Sequence, residues 1–203
     1  YSEAVSKVVE LYKDLTREGF EIRYIDIGGG LGIKYRPEDK APSPSDLAEA
    51  VMPHLEGLEP RLVLEPGRSI TGNAGILLTE VQFLKVKGVK HFVIVDAGMN
   101  DLVRPSIYDA YHHIVPVSQK GQKHIVADIV GPICETGDFL AKDRRIEWVE
   151  RGDYLAVLSA GAYGFSMSSH YNVRPRPGEV LVEKGEARLI RNRESYDYIL
   201  NPT

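Results

Sequence analysis

Near the start of the chain apolar residues recur at three- and four-residue spacing. Val5, Val8, Leu11, Tyr12 and Leu15 fall on one side of a helical wheel drawn over residues 3–17. That period predicts an amphipathic helix, and Gly19 supplies its stop. Residues 22–27 are short and β-prone and run directly into Gly28, Gly29, Gly30, Leu31 and Gly32, so a strand ending in a glycine-rich turn is expected. A polar stretch with Pro37, Pro42 and Pro44 follows. Helical spacing then returns over 46–58, and a second strand over 61–65 ends at Pro66 and Gly67. Helix, strand, helix, strand in that order predicts βα units with a parallel sheet.

Beyond Asn73 the texture changes. Strand-like runs over 76–86 and 90–95 are separated by Lys87 and Gly88, a hairpin signal. Further strands are expected over 124–130, 154–159, 179–183 and 186–191, with one short helical pattern near 106–113. The expected organisation is α/β plus β: residues 1–73 form an α/β portion and 74–203 a mostly β domain. Neither an internal repeat nor a low-complexity segment interrupts it.

Composition narrows the partner class. A 203-residue chain with 43% hydrophobic residues can bury a core, which excludes a disordered tail. With 25 Lys+Arg against 29 Asp+Glu the net charge is -4, so neither a nucleic-acid footprint nor a polybasic membrane face is favoured, and a small metabolite is the expected partner. Cys134, the one cysteine, cannot form an internal disulfide or a metal-type cysteine pair; a reducing cytoplasm and no metal are expected. No apolar run approaches the roughly 20 residues of a membrane helix. The chain opens at Tyr1 without an initiator Met or a signal sequence, so it is expected to be a fragment.

Five segments can carry chemistry. Gly28, Gly29 and Gly30 after a strand let the backbone approach an anion closely, as a phosphate cradle requires, although such a turn can be purely structural. The dinucleotide fingerprint is excluded because Ile33 stands where a third glycine would be needed. Glu65, Pro66, Gly67 and Arg68 place an acid and a guanidinium at the C-terminal end of a strand, the end on which parallel barrels build their sites. A carboxylate there could hold a cofactor's pyridine nitrogen protonated; a surface ion pair is the plainer alternative. Within 96–105, Arg104 lies four residues before Tyr108, so on a helix the two would share a face and could grip one carboxylate. Residues 131–138 set Cys134 beside Glu135 in a turn-rich segment after a strand, whereas a lone Cys is usually a small buried hydrophobe. Tyr163, surrounded by small residues in 160–164, could be a packed aromatic or reach a phosphate.

Taken in order, Asp26-Ile-Gly-Gly-Gly-Leu-Gly32, Glu65-Pro-Gly-Arg68, residues 96–105, Gly131-Pro-Ile-Cys-Glu-Thr-Gly-Asp138 and Ala160-Gly-Ala-Tyr-Gly164 resemble the fold-type III pyridoxal-phosphate decarboxylases. They are most similar to the members that act on diaminopimelate. The resemblance covers essentially the whole chain. It implies the C-terminal part of an alanine-racemase-like (β/α)8 barrel over 1–73, then a β-barrel or sandwich domain over 74–203. It further implies pyridoxal 5'-phosphate as cofactor, with Gly28, Gly29, Gly30, Pro66, Gly67, Arg68 and Tyr163 at its phosphate and Glu65 at its pyridine nitrogen. Arg68, Arg104, Tyr108, Glu135 and Tyr163 would contact substrate, and Cys134 would donate the proton. Cys134 and Glu135 would reach the neighbouring subunit's site, making the active species a homodimer.

The implied reaction is decarboxylation of meso-diaminopimelate to L-lysine. One departure stands out: the lysine that anchors the cofactor, and the histidine that stacks on its ring, have no counterpart in context and are expected upstream. Glu135 favours diaminopimelate over ornithine, arginine or carboxynorspermidine, since relatives acting on ornithine have an Asp after the Cys. A catalytically inactive regulatory homologue and a carbohydrate-binding β module are the readings from other classes. Intact loops argue against the first, and the helix-strand half with its Glu65 to Arg68 loop against the second.

Overall fold

Helix α1 (Ser2–Arg17) forms where the three-and-four spacing predicts it, burying Val5 and Val9. Gly19 stops it as expected: at φ +92° it turns the chain so that its own N–H bonds Thr16 O and the Phe20 N–H bonds Leu15 O, satisfying the last carbonyls. In this computed structural model residues 1–201 are described. They divide into two compact units, one from Tyr1 to Asn73 and the other from Ala74 onward.

In the first unit the strand after α1 is shorter than its β-prone run, β1 (Tyr24–Asp26), with Ile25 buried. Helix α2 (Pro44–Leu55) begins at Ser43. The Ser43 hydroxyl accepts from the Asp46 N–H while the Asp46 carboxylate accepts from the Ser43 N–H, a reciprocal cap that satisfies two donors at the helix start. Strand β2 (Arg61–Val63) pairs parallel with β1, Tyr24 opposite Arg61, so α2 is the crossover of a βαβ unit. Val5, Val9 and Val51 form a small core with Ile27, Leu47, Leu55 and Leu58 against it. A four-residue turn of helix, α3 (Arg68–Thr71), follows the second loop.

The second unit is mostly sheet. Strands β3 (Leu77–Lys87) and β4 (Lys90–Val95) form the expected hairpin, but its two-residue turn is Gly88 and Val89, with Lys87 paired to Lys90. Gly88 takes φ +62°, the left-handed backbone that such a tight turn demands. After α4 (Arg104–Tyr108) come β5 (Ile114–Pro116), β6 (His124–Val130), β7 (Phe139–Glu147) and β8 (Tyr154–Val157). The six-stranded sheet runs β5-β8-β3-β4-β6-β7, and its edge strands β5 and β7 touch, so it curls into a nearly closed barrel. Val81, Val93, Val95, Leu102, Ile129, Leu140, Leu155 and Val157 fill it. A separate hairpin, β9 (Glu179–Glu183) with β10 (Glu186–Arg191), and the short helix α5 (Tyr196–Leu200) complete the unit. Among the described residues no helix is long and apolar enough to cross a membrane.

Several elements differ from expectation: α2 spans Pro44–Leu55 where 46–58 is expected, and the short elements α3, β5 and α5 have no counterpart in the sequence pattern. The helix expected near 106–113 spans Arg104–Tyr108 instead, because Asp109 at φ 51° turns left-handed and ends it. Strand β7 has no counterpart in the sequence reading. Its apolar residues Leu140, Ala141 and Ile146 are interrupted by the charged run 142–145, where Asp143 takes φ 46° and the register against β6 shifts. A bulge of that kind removes the period-two signal.

Glu194 ties the chain after β10 to the segment before β9. Its Oε1 accepts from Arg176 Nε at 2.8 Å and Nη2 at 2.5 Å, and its Oε2 accepts from the Arg176 N–H at 2.9 Å and meets His170 Nε2 at 2.6 Å. The Arg176 guanidinium, helped by these other donors, holds the Glu194 carboxyl at about 2 against an ordinary 4.5. A carboxyl whose folded value is depressed stabilises the fold above its unfolded value and loses that contribution as pH falls through the folded one. The stability margin of the parent protein over Glu194→Gln, read from denaturant titrations at stepped pH, is therefore expected to be full above about pH 4.5 and to vanish toward about pH 2. A margin constant across that window overturns the assignment.

Candidate active site

Strand β3 pairs antiparallel with both β4 and β8, and β4 pairs parallel with β6. Strands β4, β6 and β8 consequently point the same way, and the loops that follow them leave the sheet at one end. Those loops are residues 96–103, 131–138 and 158–174, which carry or adjoin every site residue expected in this half of the chain.

The loops are bonded to one another. Asp138, buried, accepts from the Met99 N–H at 2.7 Å through one carboxylate oxygen and from the Ile133 N–H at 2.6 Å through the other. Burial pushes its carboxyl above the ordinary range, and these two N–H groups pull it back. Ser106 Oγ donates to Gly137 O at 2.5 Å, fixing the 131–138 loop to α4. From the third loop the Ser169 N–H donates to Asn100 O at 2.9 Å, and Arg174 donates to Asn100 Oδ1 at 3.1 Å and to Asp96 O at 2.6 Å.

On this frame Cys134 and Glu135 occupy the outer part of the 131–138 loop, both exposed; Cys134 is not a core residue of this unit. Glu135 accepts from the Gly137 N–H at 3.2 Å and from Tyr171 Oη at 3.1 Å. The Gly137 N–H first, and then the Tyr171 hydroxyl, lower its carboxyl, so it is an anion in neutral solution. The same contact pushes the Tyr171 phenol up.

Arg104 opens α4 and is 7% exposed, whereas Tyr108, one turn on, is 64% exposed. The helical spacing holds, but the guanidinium turns inward and the phenol outward, so this unit does not bring the two to a common point. Arg104 instead meets His112 Nε2 at 3.1 Å and lies 5.9 Å from the Tyr163 ring centroid. Tyr163 is 41% exposed and stands at φ 61°, an unusual conformation for a bulky residue. The turn around it is tight: a Cβ on Gly164 would come within 2.3 Å of Ala160 O.

The first unit assembles a second cluster. The loops after β1 and β2 lie side by side, with the Glu65 N–H on Gly28 O at 2.9 Å and the Gly28 N–H on Asp26 Oδ1 at 2.8 Å. A Cβ on Gly29 would sit 2.1 Å from Glu65 O, so only glycine permits this approach. Gly28, Gly29 and Gly30 are thereby gathered with Glu65, Pro66, Gly67 and Arg68, and the Arg68 guanidinium lies 5.8 Å from the Tyr35 ring centroid. A backbone without side chains suits the close approach of a phosphate group, and the exposed Glu65 carboxylate suits a cationic ring nitrogen.

Three roles in the second unit are absent from the sequence analysis: Asp138 as the pin between loops, Tyr171 as the partner of Glu135, and His112 as the partner of Arg104. Each contact joins residues at least eight positions apart, and the two that involve Asp138 and Tyr171 join different loops.

A sequence profile of the pyridoxal-dependent decarboxylase family, C-terminal sheet domain, matches residues 5–161. The chain belongs to this family. Diaminopimelate decarboxylase of Aquifex aeolicus is 70% identical over 203 residues, covering 100% of this chain and 48% of that protein. A crystal structure of a protein from Aquifex aeolicus superimposes with a TM-score of 0.97 at 71% identity, over 100% of this chain and 50% of the other. Diaminopimelate decarboxylase from Helicobacter pylori, solved in complex with L-lysine, aligns with a TM-score of 0.91 at 40% identity, over 98% and 50% of the two chains. The chain thus spans about half the length of the curated relatives it matches.

Within this family member the Asp138 bonds are expected to hold the Cys134 loop. Asp138→Ala leaves the Met99 and Ile133 N–H groups without their acceptor, a loss of typically ~1–3 kcal/mol for a buried donor. Urea denaturation is expected to show it, together with faster hydrogen exchange at both amides. Unchanged exchange at Met99 and Ile133 overturns the role.

Proposed function

We propose that this chain is the C-terminal portion of a pyridoxal-phosphate-dependent enzyme that decarboxylates meso-2,6-diaminopimelate to L-lysine and CO2. The observation that carries the reading is the placement of Arg104, Tyr163 and the anionic Glu135 on loops at one end of the sheet, in a chain 70% identical along its whole length to a diaminopimelate decarboxylase. Residues 1–73 are read as the last part of an alanine-racemase-like (β/α)8 barrel and 74–203 as the C-terminal β domain. The anchoring lysine is assigned to the part of the relatives' length that these residues do not cover.

Gly28, Gly29, Gly30, Gly67 and Arg68 hold the cofactor phosphate, and Glu65 keeps the pyridine nitrogen protonated. When bound, the cofactor supplies an electron sink for the pair released as the bond to CO2 breaks. Arg104 binds the substrate's distal carboxylate. The Glu135 carboxylate receives the distal ammonium. Cys134 Sγ delivers the proton that replaces CO2 on carbon, which requires an accessible thiol such as this one. Cys134 and Glu135 serve the site of the second subunit in a cytoplasmic homodimer, for which their exposed position on the loop is suited.

A protein of the relatives' full length that carries this chain is expected to turn over meso-diaminopimelate in preference to ornithine or arginine, and better turnover of either overturns the substrate. In that protein Arg104→Ala is expected to raise KM roughly 30-fold or more, the usual scale for unpairing one charge of a desolvated pair. Cys134→Ala is expected to lower kcat by ~10²–10⁴-fold, as loss of a general acid does. Near-normal turnover removes Cys134 from the chemistry. Mixed dimers of Arg104→Ala and Cys134→Ala subunits are expected to regain one working site each, and failure to regain activity with both variants folded and dimeric excludes shared sites.

A further inference from the structure

His112 is 0% exposed, and the reading of Arg104 above leaves it without a task. Its ring lies between two groups that leave it no choice of protonation. Nδ1 is 2.9 Å from Leu158 O, which can only accept, so Nδ1 must carry a hydrogen. Nε2 is 3.1 Å from Arg104 Nη1, and a guanidinium can only donate, so Nε2 must be bare. One neutral tautomer satisfies both contacts. Burial first, and then the charges of Arg104 and Arg144, hold the imidazole below its ordinary pKa, although the Leu158 bond acts the other way.

The ring's position is fixed from the backbone. Arg144 Nη1 donates to His112 O at 2.6 Å, and the Leu158 N–H donates to His113 O at 2.8 Å, just ahead of the β5–β8 pairing of Ile114 with Val157. The imidazole therefore has little freedom to follow Arg104. The guanidinium must come to it.

We infer that His112 is the positioning residue of Arg104: as a neutral acceptor it fixes the guanidinium's orientation beside Tyr163 without cancelling its positive charge. A carboxylate in that place would orient the guanidinium equally well but would pair with the charge that an anionic ligand needs. This inference rests on the proposal that Arg104 binds a substrate carboxylate. Specificity follows from it, because His112 supports recognition only of ligands that present a carboxylate to Arg104.

The test uses the full-length, cofactor-loaded enzyme and two variants that divide the ring's two contacts. The amide of His112→Asn can replace Nδ1 as donor to Leu158 O but is too short to reach Arg104. His112→Gln carries an acceptor oxygen at about the reach of Nε2. His112→Asn is expected to raise KM, and the Kd for L-lysine measured by calorimetry, roughly tenfold or more, the scale of one hydrogen bond to a charged group, with a smaller change in kcat. His112→Gln is expected to recover most of that loss. Binding of cadaverine, which has the two amines of L-lysine and no carboxylate, is expected to be equally strong in all three proteins.

Independently of any variant's folding, 15N NMR of labelled histidine in the parent protein is expected to show His112 protonated at Nδ1 and bare at Nε2 at neutral pH. A proton on Nε2 overturns the inference, as does an unchanged L-lysine Kd in a folded His112→Asn, or equal losses for L-lysine and cadaverine. If Arg104→Ala raises KM while His112→Asn does not, only the positioning role falls. If Arg104→Ala leaves KM unmoved, the substrate role of Arg104 falls and this inference with it.

Discussion

Strand β3 hydrogen-bonds antiparallel to β4 on one side and to β8 on the other, while β4 takes β6 as a parallel neighbour. Pairing of that kind leaves no freedom in where the following loops emerge. Three segments separated by dozens of residues are delivered to the same end of one curled sheet, and the nearly closed barrel beneath them, filled with Val81, Val93, Val95 and Leu155, supplies a base that does not deform easily. The Arg104, Cys134 and Tyr163 segments share a neighbourhood for this reason.

Loops placed by a sheet still need holding, and here polar side chains do it. The Asp138 carboxylate receives one N–H from its own loop and one from the neighbouring loop, and Arg174 brings the third loop onto Asp96 and Asn100. Each of these is a charge-assisted bond to backbone or amide groups, stronger and more directional than a neutral one. Exposed groups such as Cys134 and Glu135 can then occupy defined positions although little packs around them. Positive φ at Tyr163, a non-glycine residue, fits the same picture, since unfavourable backbone persists only where the surroundings over-determine it.

The two clusters use opposite electrostatic devices. In the first unit the glycine loop and the Glu65 loop approach so closely that no side chain fits at Gly29, which leaves bare backbone there. In the second unit the buried Arg104 guanidinium is met at 3.1 Å by an imidazole whose two contacts require the neutral form. The proposed binding of an anionic cofactor and a carboxylate-bearing amino acid would use both.

The sequence by itself determined what depends on neighbours along the chain. Helix α1 and its glycine stop, the presence of a helix between the first two strands, the β3–β4 hairpin and the loops at 28–32 and 65–68 all follow from short-range periodicity and turn chemistry. Candidate site residues could be named for the same reason, since rare residue types in turn-rich stretches after strands can be recognised one segment at a time. Only the tertiary structure decided the common direction of β4, β6 and β8, the bulged strand β7, the inward turn of Arg104 away from Tyr108, and the contacts Asp138–Met99, Tyr171–Glu135 and His112–Leu158. Those contacts join residues 36 to 46 positions apart. No local pattern encodes them, because they exist only once strand pairing has brought the loops within hydrogen-bond distance.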